Sequence, residues 1–293
     1  MIRRRITHEI RLGLVTTQVL WIMLGISATI AAMLPTVAIA ADSTATDTTQ
    51  NTTNPEDQII LEATQNKGSA WSLGLGVAIS EPGYIGVSSQ VTPLPLVFYH
   101  DGRFFLAGVS VGYVPFNGRH YSFAILAKPR INRLSASESS QLAGIQSRKW
   151  SIDGGGRFSF FGDWGRLDAG VYTDLLHRNN GLEADLGYQY PIRMTGWTLS
   201  PGIGLAWYNS PLTNYYYGVS QAEVVSGRPA YSPGRATNPY LALNLQVPMG
   251  THWQFLGGVK YLHFARSIQD SPIVDRADTL TVFLAVSYRF ETH

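Results

Sequence analysis

Residues 196–208, GWTLSPGIGLAWY, constrain this chain more than any other stretch. Trp197, Leu199, Pro201, Ile203, Leu205 and Trp207 alternate with Thr198, Ser200, Gly202, Gly204 and Ala206. A period of two means a β-strand whose two faces differ. In a water-soluble sandwich the outer face of such a strand carries Lys, Glu or Arg. Here one face is bulky and apolar with Trp near both ends, and the other is small. That inversion suits a strand with lipid on one side and the inside of a closed barrel on the other.

The pattern recurs in residues 71–79, 121–131, 166–175, 182–190, 240–247 and 279–290. The runs are close to the length that a tilted strand needs to cross a bilayer, about 9–11 residues. The reading is therefore an all-β protein, an antiparallel transmembrane β-barrel preceded by a signal peptide and a disordered tail.

Arg3, Arg4, Arg5 and Arg11 precede or open an uncharged, mostly apolar run over residues 12–34, and Ala38-Ile39-Ala40 supplies a small–x–small cleavage signal. Residues 1–40 read as a secretory signal peptide. Residues 41–69 are rich in Thr, Ser, Asn and Gln and cannot bury a core, so a disordered periplasmic tail is expected there. Residues 70–293 form the barrel. Residues 1–40 take with them four of the 22 basic residues and one of the 20 acidic ones, which leaves the remainder close to neutral. No basic block remains to bind nucleic acid. The chain contains no cysteine, which removes disulfides, thiolate metal sites and cysteine nucleophiles.

Long connections over residues 132–148, 209–236 and 265–278 alternate with short ones at 161–165, 192–196 and 248–251. Outer-membrane barrels have short periplasmic turns and long outer loops, so the long set faces outward. Asn179-Asn180-Gly181 is a hairpin signal on that outer side. Even parity requires residues 103–116 to hold two short strands, which makes twelve in all; one strand there and one miscounted elsewhere would make ten. Pro129 and Pro201 fall inside strands, where each should remove a ladder bond, and a bulge is expected at each.

Alternation places charge of both signs inside: Lys128, Arg130, Arg157, Lys260 and Arg289 against Asp153, Asp168, Asp174, Glu183 and Asp185. A charge facing lipid at the midplane costs about 2–4 kcal/mol, which is why these belong to the lumen. Balanced signs suggest a paired network that rigidifies the barrel, whereas a selective pore favours one sign.

Little here points to chemistry. His100-Asp101 reads as a turn before Gly102. Asp174 and His177 sit on opposite faces of a strand. Asp153 with Gly154-Gly155-Gly156 lacks the Lys-Ser/Thr ending of a phosphate loop, and its glycines read as places where the sheet bends or packs closely. No catalytic residue, cofactor or metal site is expected. The longest outer loop opens with Tyr215-Tyr216-Tyr217-Gly218-Val219-Ser220, followed by Glu223. Tyrosine-rich loops suit protein or glycan contact, and equally suit packing within the loops.

With these residues in view, the chain resembles the MltA-interacting protein (MipA/OmpV) family of Gram-negative outer membranes. The matching pieces are Thr92-Pro93-Leu94-Pro95, Ser200-Pro201-Gly202-Ile203-Gly204, the Tyr215–Ser220 segment with Glu223, Asn238-Pro239-Tyr240-Leu241, Ser271-Pro272-Ile273-Val274-Asp275 and Tyr288-Arg289-Phe290. One departure is that Glu291-Thr292-His293 follow Phe290, where such barrels end on the aromatic residue. The resemblance implies a non-enzymatic outer-membrane scaffold, set in outer-membrane lipid, that brings a lytic transglycosylase together with a bifunctional murein synthase. Those partners work in the periplasm, whereas the family-like motifs fall mainly on outer loops. The alternative reading is a small-solute pore or a surface-contact barrel.

Overall fold

A computed structural model describes residues 70–101 and 103–290. The expected signal peptide, the expected tail and the Glu291-Thr292-His293 extension lie outside the described residues.

The described chain is an antiparallel meander. Its strands are β1 Ala70–Ser80, β2 Gln90–Asp101, β3 Phe104–Gly108, β4 Ser110–Asn117, β5 Tyr121–Arg130, β6 Ser151–Gly162, β7 Gly165–Asp174, β8 Leu182–Gln189, β9 Ile192–Met194, β10 Trp197–Tyr208, β11 Ala236–Met249, β12 Trp253–His263 and β13 Asp278–Phe290. Each pairs with the next, except that β8 and β9 both pair with β10, and β13 pairs back onto β1 from Trp71↔Phe290 to Ser80↔Thr281, which closes the sheet. β8 and β9 are one stave: both face β10 in a single register, with Gly202↔Gln189 and Leu199↔Ile192. The described residues thus form a closed barrel of twelve staves, which leaves no free sheet edge at the closure. The two short strands needed within residues 103–116 are β3 and β4.

Alternation sorts the side chains as expected. Outward positions include Leu75, Ile125, Val171, Ile203 and Leu241, all exposed large apolar residues. Bands of exposed aromatics flank them, with Trp71, Trp164, Trp197 and Trp253 near the short turns. An apolar belt bounded by aromatic girdles is the surface that a bilayer selects. Inward, Leu96, Phe98, Phe105, Val114, Leu126 and Leu256 make an apolar core inside one side of the barrel.

The expected bulges at Pro129 and Pro201 are absent, because the register runs unbroken through both. Pro201 lies where its partner stave is interrupted at Tyr190-Pro191, and Pro129 lies where β5 has no β4 partner. The register shift falls instead within β4, between Tyr113 and Phe116, around Pro115.

Glycine makes close approaches possible inside the wall. A Cβ on Gly155 would stand 1.9 Å from the Val171 carbonyl, and one on Gly204 would stand 2.3 Å from the Tyr240 ring. The Asp153-Gly154-Gly155-Gly156 run is therefore a packing device in β6.

Candidate functional site

Three regions carry unusual chemistry: a cap made by the outer loops, a chamber in the lumen, and the mouth at the short-turn end.

The cap is built from four connections that are distant in sequence. Helix α1, Ser210–Tyr217, is started by Asn209, whose side chain accepts the Leu212 N–H, and has Pro in its first turn. It delivers Tyr216 and Tyr217 into a buried cluster with Tyr84, Leu134, Leu142, Ile145, Val219, Phe264, Ile268, Ile273 and Val274. Helix α2, Arg266–Gln269, supplies Ile268. Tyr84 bridges to Val274 in antiparallel fashion, the Ile85 N–H donates to the Ile273 carbonyl at 3.0 Å, and the Ser271 hydroxyl donates to the Tyr217 carbonyl at 2.6 Å. Burial pushes the Tyr84 hydroxyl well above its ordinary pKa, with Tyr217 and Tyr216 adding to the effect.

At the centre of the cap sits Glu223, 2% exposed. It accepts the N–H of Gln146 at 2.8 Å, the N–H of Ser220 at 2.8 Å and the Ser220 hydroxyl at 2.9 Å, and it pairs with Arg148 at 2.9 Å. Burial alone would raise its pKa. The Ser220 and Gln146 N–H groups, the Ser220 hydroxyl and Arg148 outweigh that and hold the carboxyl below the ordinary glutamate value. Arg228 completes the seam between loops by donating to the carbonyls of Gln141, Ala143 and Glu223.

Below the cap, Arg130 pairs with both Asp153 and Glu183 at 2.5 Å, and Lys128 reaches Glu183 at 3.5 Å. Lys128 also lies 3.7 Å over the Tyr172 ring. A second group joins Arg166 and Ser159 to Asp168. Next to both is a chamber of about 320 Å³ whose walls include Lys128, Arg157, Asp168, Tyr172, Asp185, Tyr240 and Lys260. Lys260 lies 3.9 Å over the Tyr240 ring, while the Tyr240 hydroxyl donates to Asp185 at 3.1 Å. Among the described residues no carboxylate stands within ion-pair distance of Lys260.

The mouth at the short-turn end is a cup of about 350 Å³ with Trp197, Gln246, His252, Trp253 and Arg289 among its walls. His252 stacks on Tyr288.

The ten residues expected as one lumen network therefore divide. Lys128, Arg130, Asp153 and Glu183 form one cluster. Arg157, Asp168, Asp185 and Lys260 line the chamber beside it. Asp174 is spent elsewhere: it accepts from the Ser151 hydroxyl and from the N–H groups of Leu176, Asn179 and Asn180, which folds the β7–β8 turn. Arg289 stands in the wall of the mouth. The loop residues Tyr215, Tyr216, Tyr217, Gly218, Val219, Ser220, Glu223, Ser271, Pro272, Ile273, Val274 and Asp275 come together in the cap. Tyr216, Tyr217, Val219, Glu223, Ser271, Ile273 and Val274 are buried, so these motifs are packing and pairing elements. Sequence reasoning missed Arg148, Arg228 and Tyr84. A buried arginine needs a partner brought in by another loop, and no local spacing announces it.

Comparison with known proteins follows from this geometry. Residues 73–290 match the model of a family described as "MltA-interacting protein MipA". The MltA-interacting protein of Escherichia coli K12 is 30% identical over 223 residues, covering 75% of this chain and 90% of that protein. Outer membrane protein OmpV of Vibrio cholerae is 28% identical over 151 residues, covering 52% of this chain and 59% of that protein. Among solved structures, a FadL homologue of Pseudomonas aeruginosa aligns with a TM-score of 0.43 at 10% identity, covering 84% of this chain and 96% of that chain.

Proposed function

The chain belongs to the MltA-interacting protein (MipA/OmpV) family of outer-membrane proteins, and from that premise we propose that it is a non-catalytic scaffold that holds a lytic transglycosylase at the outer membrane. In this reading it brings the hydrolase together with a bifunctional murein synthase during cell-wall maintenance. The observation that carries the proposal is the relative named for interaction with MltA, which matches this chain over 90% of its own length.

The geometry is compatible with a periplasmic partner. The loop motifs are mostly spent inside the cap, where packing accounts for them without any contact with the partner. The opposite end presents short turns, the cup with His252, Trp253 and Arg289, and the first and last described strands, β1 and β13, which end side by side. That rim and the segment before it are where a periplasmic enzyme would dock.

The test is a pull-down from cross-linked envelopes, comparing the mature protein, a version lacking residues 42–69, and a version carrying His252→Glu with Trp253→Ser. Recovery of a murein hydrolase with the mature protein, and its loss with one of the altered versions, supports the scaffold. Failure of the mature protein to retain any murein enzyme overturns it.

A further inference from the structure

The barrel wall is not complete over its full height. β2 pairs with β3 only up to Val97↔Gly108, and β5 pairs with β4 only up to Val111↔Ala127, because the β3–β4 hairpin turns at Gly108-Val109. Above that tip, residues 90–96 of β2 and Lys128, Pro129 and Arg130 of β5 have no strand partner on the facing side among the described residues. The unpaired edge of β2 is roughly 20 Å long at the usual rise per residue. It lies at the height of Leu75, Val77 and Ile79, which pair with Pro95, Pro93 and Val91, so the seam opens within the apolar belt. A lintel crosses its outer end, where the Gln90 side chain donates to Glu138 at 2.8 Å and to the Arg133 carbonyl.

An unpaired edge invites another strand, and natural sheets blunt such edges with proline. The two edges of this seam carry three, Pro93 and Pro95 on β2 and Pro129 on β5. The Glu81 N–H donates to Leu280, so the odd residues of β1 direct their backbone groups toward β13. Val77↔Pro93 and Leu75↔Pro95 are then non-hydrogen-bonded pairs, and the nitrogens of Pro93 and Pro95 face the seam. The Leu175 N–H donates to the Ile152 carbonyl, so Ile152 faces β7, and its partner Pro129 also turns its nitrogen to the seam. Three positions that would donate to an added strand therefore have nothing to donate. The seam is built to stay open.

Inside the seam the side chains change character in order. Leu94 and Phe283 pack against the buried cluster that contains Leu96 and Leu126, which makes an apolar threshold. Beyond it Phe283 and Lys128 are walls of the 320 Å³ chamber, so Lys128 belongs both to the edge of the seam and to the chamber. There Lys260 is exposed to the cavity with Tyr240 beneath its ammonium; Asp185, held by the Tyr240 hydroxyl, and Glu183 are the carboxylates whose charge reaches it, and it forms no ion pair with either among the described residues.

We propose that this seam is a lateral portal through which a single-chain amphiphile with an anionic head passes between the outer part of the bilayer and the lumen chamber. The chain lies along Leu94, Leu96, Leu126 and Phe283, and the head is held by Lys260 with Lys128. Carboxylate and phosphate heads share this chemistry. The portal is independent of the scaffold reading, since it uses neither the short-turn rim nor the segment before β1.

The test uses the mature protein in phosphatidylcholine nanodiscs with dansyl-undecanoate as the fluorescent probe. The chain has no cysteine, so a single Thr92→Cys, inward on the seam edge, can be labelled with a bulky maleimide, and Leu243→Cys on the outward face of β11 serves as the matched position. Saturable probe binding is expected, displaced by dodecanoate or dodecyl phosphate and poorly by dodecanol; the better competitor of the first two identifies the head. Lys260→Met should weaken binding about tenfold, as loss of one charge-assisted contact does. The label at position 92 should slow probe entry while the label at 243 leaves it unchanged, with heat-modified gel mobility verifying the barrel in each variant. Absence of saturable binding, equal displacement by dodecanol, unchanged affinity in Lys260→Met, or equal effects of the two labels each overturns the portal.

Discussion

Arg148 and Glu223, 75 residues apart in sequence, meet 2.9 Å apart inside the outer cap, where neither side chain is more than 8% exposed. The pair joins the β5–β6 loop to the β10–β11 loop. Removing one partner of a buried pair leaves the other charge without compensation and costs about 3–5 kcal/mol. Glu223→Ala should therefore loosen the cap while the barrel stays closed. Limited proteolysis should cut within residues 209–235 of the variant under conditions that leave the parent intact, with unchanged heat-modified gel mobility.

The same carboxyl makes the cap sensitive to acid. Burial raises the Glu223 pKa, but the Ser220 and Gln146 N–H groups, the Ser220 hydroxyl and Arg148 lower it further, so the folded value lies below the unfolded one of about 4.3. A depressed carboxyl contributes stability that is present above the unfolded pKa and is lost as pH falls through the folded pKa. Protection of the amides of residues 209–235, taken relative to their intrinsic exchange at each pH, should be high at neutral pH and should fall as the pH drops below the ordinary glutamate value. Glu223→Gln should flatten this dependence.

Gly204 lies against Tyr240, where a Cβ would come within 2.3 Å of the ring and 2.5 Å of the Leu186 carbonyl. Gly204→Val should cost about 1–3 kcal/mol through overpacking, read as a lower unfolding midpoint in urea. Adding Tyr240→Ala should recover part of the loss, since the ring can leave and the carbonyl cannot. Full additivity of the two substitutions would contradict the contact.

The prolines at the seam should act as guards. Pro93→Val, Pro95→Val and Pro129→Val together restore three N–H donors on the two unpaired edges of the seam, and edge-to-edge association is the expected result. Light scattering after size exclusion should show a higher-mass species for the triple variant. A mass distribution identical to that of the parent would mean that the prolines do not shield the edge.

Ile203 is 57% exposed on the outward face of β10, in the middle of its apolar series. Ile203→Arg should cost about 2–4 kcal/mol in folding into lipid bilayers. Asn244→Arg, on an inward position of β11 beside the chamber, should cost less. Urea titrations in lipid vesicles compare the two.

Much of this molecule is legible one strand at a time. Because side chains alternate with period two, local sequence tells lipid from lumen at Ile203, Leu241 or Val171, and it identifies Lys128, Asp168 and Lys260 as inward residues. Turn chemistry at Asn179-Asn180-Gly181 and the parity of long and short connections lead to twelve staves, with β3 and β4 in the place that parity requires. What alternation cannot supply is height along the barrel and neighbours across it. Asp174 and Arg289 are inward like the others, yet one folds a turn and the other lines the mouth, because closure of the sheet sets where each inward position lies.

The sequence by itself determined the class of fold, the membrane-facing side of each strand and the family, since these depend on short-range pattern and on motifs. Only the tertiary structure decided that Tyr216, Tyr217 and Ile273 are the core of a cap, that Pro129 guards an open edge, and that Glu223 is matched to Arg148. Those outcomes depend on loops and strands far apart in the chain meeting one another, and a local pattern carries no record of which distant segment will be opposite.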